Sequence, residues 1–151
     1  MSLIFAELDG DNENFHRFAK ALEEHGLNPK KQMIITDCLQ DLKNPFWGQA
    51  FISSKNELYL CGNTVWKSFI TSDRKKLQQI LIHNLVHLYD KEVLNFDLYT
   101  TEDLACSKIR AYSFSNECRG DRRCIFENTK ADMKVSIERC SKLSNFLFHG
   151  D

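Results

Sequence analysis

Gln79-Ile80-Leu81-Ile82-His83-Asn84-Leu85-Val86-His87-Leu88-Tyr89-Asp90 decides how the rest of this chain is read. On a wheel at about 100° per residue, Ile80, His83, Asn84 and His87 fall within one arc of about 100°. Leu81, Ile82, Leu85, Val86, Leu88 and Tyr89 occupy the opposite side. The pattern predicts a buried helix with a single polar stripe, as expected where one stripe faces a cleft. Taken alone, it is more often the pattern of a core helix carrying two satisfied histidines.

Histidines four residues apart stand one above the other on a helix, so both imidazoles can reach one ion. His83 and His87 have that spacing. In the H-E-x-x-H zinc motif a glutamate follows the first histidine and serves as general base. Here Asn84 holds that position, and an amide accepts no proton near neutral pH. The frame of a zinc-binding helix is present, and its base is missing.

The chain has 151 residues, a length that suits one domain burying roughly two-thirds of its unfolded surface. A hydrophobic fraction of 42% and a charged fraction of 27% are those of an ordinary globular protein. Twenty basic and 21 acidic side chains leave a formal charge of −1, which gives nucleic acid no electrostatic footing. No apolar run approaches the roughly 20 residues that span a bilayer. The stretch from Met1 to Gly10 is acidic and lacks arginine, so neither a secretory signal nor an amphipathic presequence is expected. Cys38, Cys61, Cys106, Cys118, Cys124 and Cys140 form no C-x-x-C pair, which argues against a zinc ribbon. Their even number suits three disulfides, each contributing roughly 2–4 kcal/mol. Six buried thiols would satisfy the composition as well.

Along the chain, Asp11 to Gly26 predicts a helix with Phe15, Phe18, Ala19 and Leu22 as its apolar stripe and Gly26 as its stop. Lys31 to Thr36 predicts a strand, and Gln49–Ser53 with Glu57–Cys61 a hairpin. Asn63 to Ile70 is ambiguous, with a short helix packing Trp66 and Phe69 as one option. Ser72 or Asp73 can cap the central helix, which extends to about Asp90. Thr100 and Asp103 have capping-box spacing ahead of a second helix to about Ser113, and Thr129 and Asp132 repeat it ahead of a last helix to about Leu143.

Beyond Asp90 the sequence becomes more specific. Leu104-Ala105-Cys106-Ser107-Lys108-Ile109-Arg110-Ala111, followed by Ser115 and Cys118, resembles the mitochondrial inner-membrane metalloproteases that process and assemble the ATP synthase. That family carries H-E-L-[IV]-H-A-[FY]-D and then A-C-S-E-[IV]-R-A-A-x-L-S-x-x-C. Its upstream L-C-x-N is matched by Leu60-Cys61-Gly62-Asn63. Each piece is weak alone, whereas the ordered set from Cys38 to Cys140, with all six cysteines, is strong. The resemblance implies an α+β fold over residues 1–151. This would be a single zincin-like domain with a small antiparallel or mixed sheet packed on the central H-x-x-x-H helix. Two or three further helices and disulfide staples at the six cysteines complete it. It also implies residence in the intermembrane space, peripheral to the inner membrane.

The departures fall where catalysis would be. Asn84 replaces the family's base, and general-base help is worth roughly 10²–10⁴-fold. Lys108 replaces the glutamate of A-C-S-E, which a two-helix H-E-x-x-H plus Glu arrangement would use as third ligand. A catalytic zinc needs three protein ligands, and an ammonium there repels the cation. Cys106, Asp90 and Asp103 lie nearby. The resemblance assigns Cys106 to a disulfide, and Asp90 to a group behind the ligands or at the helix end. On these grounds the expectation is a catalytically inactive relative, a pseudoenzyme with no resident cofactor. His83 and His87 would be vestigial ligands, with zinc the candidate if any metal is kept. Such a protein would be a structural subunit or assembly factor of an inner-membrane complex, the ATP synthase or the respiratory chain. The alternative is a zinc-dependent endopeptidase acting on an inner-membrane precursor with an atypical base and third ligand.

Other features read plainly. His16, His25 and His149 are isolated. Arg119, Arg122 and Arg123 lie between Cys118 and Cys124, so they would form a basic loop pinned by a disulfide if those cysteines pair. Arg110 is expected in a buried structural pair, and Trp47 and Trp66 in the core.

Overall fold

The computed structural model describes residues 13–36, 50–52, 55–61 and 74–133. Helix α1, Glu13–Glu24, buries Phe15, Phe18 and Leu22 on one face. It stops where expected. Gly26 takes φ +79°, its N–H donates to Glu23, and the Leu27 N–H donates to Leu22. This is a Schellman closure, which favours glycine because φ is positive. Leu27 packs against the same core. Pro29 then opens the single helical turn α2, Pro29–Gln32, where its fixed φ suits a first helical position. The expected strand therefore begins later, as β1, Met33–Thr36.

Strands β2, Ala50–Ile52, and β3, Leu58–Cys61, form the expected antiparallel pair, with Ile52 opposite Leu58. Asn56 makes the turn possible with φ 62°. Its Oδ1 accepts from Lys91 Nζ at 2.7 Å, tying the turn to the central helix. β1 lies on the other side of β3, parallel to it, with Met33 opposite Leu58. The sheet is thus three-stranded and mixed, in the order β1-β3-β2.

Helix α3, Arg74–Glu92, is the spine. Leu77, Leu81, Ile82, Leu85, Val86 and Leu88 are buried together with Phe15, Phe18, Leu22, Met33, Leu58 and Leu60. It packs against α1, β2 and the next helix, α4, Thr101–Phe114. Phe18 meets Tyr89 and Phe114 edge-on, at 5.3 and 5.0 Å between ring centres. The polar stripe is not a solvated face, since Ile80 and Asn84 are buried as well.

Thr100 caps α4 by accepting from the Asp103 N–H. The second half of the capping box is absent. Asp103 Oδ2 accepts instead from the Asp97 N–H at 2.8 Å. On its far side α4 joins a second cluster of Ala105, Cys106, Ile109, Cys118 and Ile125. The last described helix, α5, is Arg122–Met133, which corrects the expectation of a cap at Thr129. Thr129 is buried in mid-helix, and its Oγ1 donates to the Ile125 carbonyl. Such back-bonding uses the hydroxyl that a cap would need.

The turn between α4 and α5 is cross-linked by Cys118–Cys124. It holds three residues with positive φ, Asn116, Arg119 and Gly120. Cys106 is disulfide-bonded too. The side chains of Cys38, Cys61 and Cys140 lie outside the described residues, as do the segment Asn63–Ile70, the cap at Ser72 or Asp73, both tryptophans, His149 and everything beyond Met133. Among the described residues no helix is long and apolar enough to cross a membrane.

Candidate active site

Helix α3 sets His83 and His87 one turn apart, with ring centres 4.9 Å apart and planes at 70°. Tyr112 of α4 stands edge-on to His83 at 5.0 Å. The two histidines have different surroundings. His87 Nδ1 lies 2.7 Å from Ser107 Oγ, and Ser107 Oγ donates to Asp90 Oδ2 at 2.8 Å. Arg110 Nε donates to the other carboxylate oxygen of Asp90 at 2.8 Å. Asp90, Ser107 and Arg110 are all fully buried.

This chain of bonds decides a tautomer. A hydroxyl has a single proton to give. While Asp90 is ionised it takes that proton, so His87 must donate from Nδ1 and keep its Nε2 lone pair facing away. Burial pushes the Asp90 carboxyl up to about 6, against the opposing pull of Arg110 and Ser107, so it is ionised at neutral pH. Burial, the neighbouring His83 and the charge of Lys108 together hold His87 well below its ordinary value. A neutral, oriented imidazole is the form that binds a metal.

His83 has no such support. Its side chain is 15% exposed and its Nδ1 lies 3.2 Å from Glu117 Oε1. The contact has ion-pair distance but not hydrogen-bond alignment, so this buried nitrogen has no hydrogen-bond partner. Glu117 comes from the α4–α5 turn, next to Cys118.

The sequence-predicted positions fall as follows. Asn84 is buried between the histidines on α3, and its Nδ2 donates to the Ile80 carbonyl at 2.8 Å, so the amide serves its own helix. Lys108, partly buried on α4, lies near enough for its charge to act on His87. Asp103 is committed to the Asp97 backbone. Arg110 makes the expected buried pair, with Asp90. Arg119 and Arg122 are exposed, and Arg123 pairs with Glu127 within α5. Sequence reasoning gave no role to Ser107 or Glu117. Ser107 stood in the quoted A-C-S segment, three residues before Arg110 and so on the same helix face. Nothing in sequence marked Glu117.

A catalytic zinc centre takes three protein ligands and an open position. His83 and His87 supply two. Among the described residues no three His, Cys, Asp or Glu side chains are placed to hold a metal ion. The residues that already converge do not fit a complete zinc site.

A model of the peptidase M76 family matches residues 8–147, nearly the whole chain. The chain belongs to the peptidase M76 family. Its relatives include the mitochondrial inner membrane protease ATP23 of Debaryomyces hansenii, 36% identical over 121 residues, 78% of this chain and 44% of that protein. The same-named protease of Scheffersomyces stipitis is 36% identical over 116 residues, 74% of this chain and 42% of the relative. The Schizosaccharomyces pombe protein is 30% identical over 94 residues, 62% and 48% of the two chains. The M76 chain thus spans less than half the length of these curated relatives. No solved structure matches it.

The family corrects the expectation of a catalytically inactive pseudoenzyme serving as structural subunit or assembly factor. The matching model is that of a peptidase family, and the relatives are named as proteases. The inference of silence rested on Asn84 and Lys108 alone. It took the two expected carboxylate positions for the only sources of a carboxylate, although the fold brings Glu117 against His83 from a turn remote in sequence.

Proposed function

We propose that this M76 chain is a zinc-dependent endopeptidase acting on an inner-membrane precursor, with an atypical base and third ligand. It works peripherally at the mitochondrial inner membrane, from the intermembrane space, as a single zincin-like domain. Its partners on this reading are subunits of an inner-membrane complex, and nucleic acid has no part. The observation that carries the reading is the relay His87–Ser107–Asp90–Arg110. Three buried polar groups on two helices hold one imidazole neutral and aimed. Fixing an imidazole in this way is what ligand-supporting groups do in metal sites.

The roles of the chain's own residues follow from their chemistry. His87 presents Nε2, and Ser107 and Asp90 hold its other proton. Arg110 keeps the Asp90 carboxylate ionised inside the protein. Asn84 takes no proton, so the base lies elsewhere. The test is cleavage of imported inner-membrane precursors by mitochondria whose sole M76 protein is this chain. His87→Ala is expected to abolish cleavage while the protein remains folded and abundant. Undiminished cleavage by His87→Ala would sink the proposal.

A further inference from the structure

Two helices of this chain begin with a charge that their position disfavours. Aligned peptide dipoles leave a helix N-terminus positive, so a first turn favours acids and disfavours cations. Yet α3 begins Arg74-Lys75-Lys76 with no acid in its first turn, and α5 begins Arg122-Arg123, also with none. A third local preference is overridden at Arg119. It holds φ 52°, a left-handed backbone that residues other than glycine seldom adopt. Each of these choices places a cation against a local preference. Local rules broken in one direction point to a function.

The fold gathers these three features at one end of the molecule. Gln79 Nε2, one helical turn after Lys75, donates to the Asn116 carbonyl at 3.3 Å, so the start of α3 meets the α4–α5 turn. The Cys118–Cys124 disulfide, with its Cα atoms 5.6 Å apart, brings the start of α5 to the same turn. Lys75, Lys76, Arg119, Arg122 and Arg123 are all exposed. The described acids beside them have other contacts. Asp121 Oδ1 accepts from the Arg123 N–H, Glu127 pairs with Arg123 Nε, and Glu117 lies against His83. The Arg119 N–H donates to the Asn116 carbonyl and the Asp121 N–H to the Cys118 carbonyl. The backbone that displays Arg119 is therefore ordered before any partner arrives, which lowers the cost of binding.

We infer that this basic end docks the chain on an anionic lipid surface. Cations spread over two helix starts and a turn suit the distributed charge of lipid headgroups, and each is worth about fivefold in partitioning. The inference rests on the inner-membrane placement in the peptidase reading and supplies its docking face. Because Glu117 of the same turn lies against His83, docking holds the histidine stripe beside the headgroups, where a segment of a membrane precursor leaves the bilayer. The exposed acids Asp97 and Glu102 lie at the other end of α4, about 20 Å away, where the field of that surface is largely screened.

The test uses the full, oxidised chain with vesicles of phosphatidylcholine, alone or mixed in equal parts with phosphatidylserine, and reads bound protein by co-sedimentation. Binding is expected to the anionic vesicles and not to the neutral ones, and it should weaken as salt is raised. Arg119→Glu with Arg122→Glu should lower it at least about tenfold. Lys31→Glu with Lys55→Glu makes the same charge change near the other end of α3 and should alter binding less than about threefold. Arg119→Gly separates docking from folding. Glycine suits φ 52°, so the melting temperature should hold while vesicle binding falls about fivefold. Circular dichroism checks that each variant folds. Equal binding to neutral vesicles, or unchanged binding by Arg119→Glu with Arg122→Glu, would overturn the inference. Tighter binding to polyglutamate than to anionic vesicles would also overturn it, by making an acidic protein the occupant. Displacement by free glycerophosphoserine at matched concentration would do the same, by reducing the face to a single phosphate pocket. Cleavage is scored separately. Charge-dependent vesicle binding without precursor cleavage refutes the peptidase reading alone, whereas cleavage without charge-dependent vesicle binding refutes this docking face alone.

Discussion

Arg110 and Asp90 form a buried ion pair at 2.8 Å, with side chains only 1% and 0% exposed. The pair bridges α4 to the C-terminal part of α3, and Arg110 also lies over the Phe114 ring at 5.4 Å. Truncating one partner leaves the other charge buried, so Arg110→Met is expected to cost about 3–5 kcal/mol. The double variant Asp90→Leu with Arg110→Met should regain much of that loss but lose His87 orientation. Urea unfolding reads the first effect and precursor cleavage the second. If the double variant cleaves like the unmodified chain, the pair has no role beyond packing.

Ser107→Ala separates orientation from stability. The fold should survive, at a cost of about 1–3 kcal/mol for the donor removed from buried Asp90. Cleavage should fall by about 10–100-fold, because His87 can then adopt either tautomer. Proton NMR of the imidazole would show exchange between tautomers. A single unchanged Nδ1–H resonance would rule this out.

The pH dependence of stability contains two opposed contributions. The folded pKa of His87 lies below its ordinary 6.5, so the unfolded chain binds that proton first. The stability contributed by the neutral ring is present above about pH 6.5 and is lost as pH falls, by at most about 1.4 kcal/mol per pH unit. Asp90 is raised from 3.8 to about 6, so its contribution is full below 3.8 and is lost as pH rises through about 6. Denaturant titrations at pH 7.5, 6.5 and 5.5 should show stability falling between the upper two, where the loss from His87 outweighs the gain from Asp90. His87→Gln should remove that fall and expose the Asp90 rise below pH 6. Parallel profiles for the two proteins would contradict the assignment.

The two sides of α3 should respond differently. Leu85 is 1% exposed, so Leu85→Ala should cost about 2–5 kcal/mol and lower steady-state abundance. Asn84→Ala loses one hydrogen bond to its own helix, a cost of about 1 kcal/mol, and should leave the cleavage rate within a small factor. A rate collapse in folded Asn84→Ala would make that amide part of the machinery.

Cys118→Ser with Cys124→Ser should cost about 2 kcal/mol, as for any cross-link closing so short a loop. The larger consequence should be functional. Freed from its cross-link, the turn holds Glu117 less firmly against His83, and precursor cleavage should fall. Unaltered cleavage by a folded double-serine chain would show that the remaining contacts position the turn.

Much of the framework is legible in sequence because it is local. The 3.6-residue stripes mark α1 and α3, Gly26 marks a stop, and the cap spacing at Thr100 marks the start of α4. The β2–β3 pair follows from two short strand segments about a short turn. Local signals also misled. Thr129 and Asp132 have cap spacing, but α5 already starts at Arg122 and Thr129 is buried in its interior. The site was half legible for the same reason. His83 and His87 share a helix, whereas Ser107 and Glu117 reach them from 20 or more residues away in the chain, by contacts that no spacing rule encodes. A reading built on spacing and on the family's motif therefore saw two missing carboxylates and inferred silence.

The pairing of the sheet also sets an order of assembly. Ile52 and Leu58 meet across a short loop, and α3 and α4 are joined by a short connection. Met33, in contrast, must find Leu58 across 25 positions of chain (58 − 33) in a parallel ladder. The α1 ring of Phe18 must find Phe114 from still farther away. Closing longer loops costs more entropy before any contact rewards it. The helices that carry the histidine relay can therefore meet early, with the N-terminal segment arriving late as a lid on their apolar side. A chain caught at that stage would hold much of its reactive face while still exposing Leu81 and Leu85, the surface by which a chaperone or quality-control protease would recognise it.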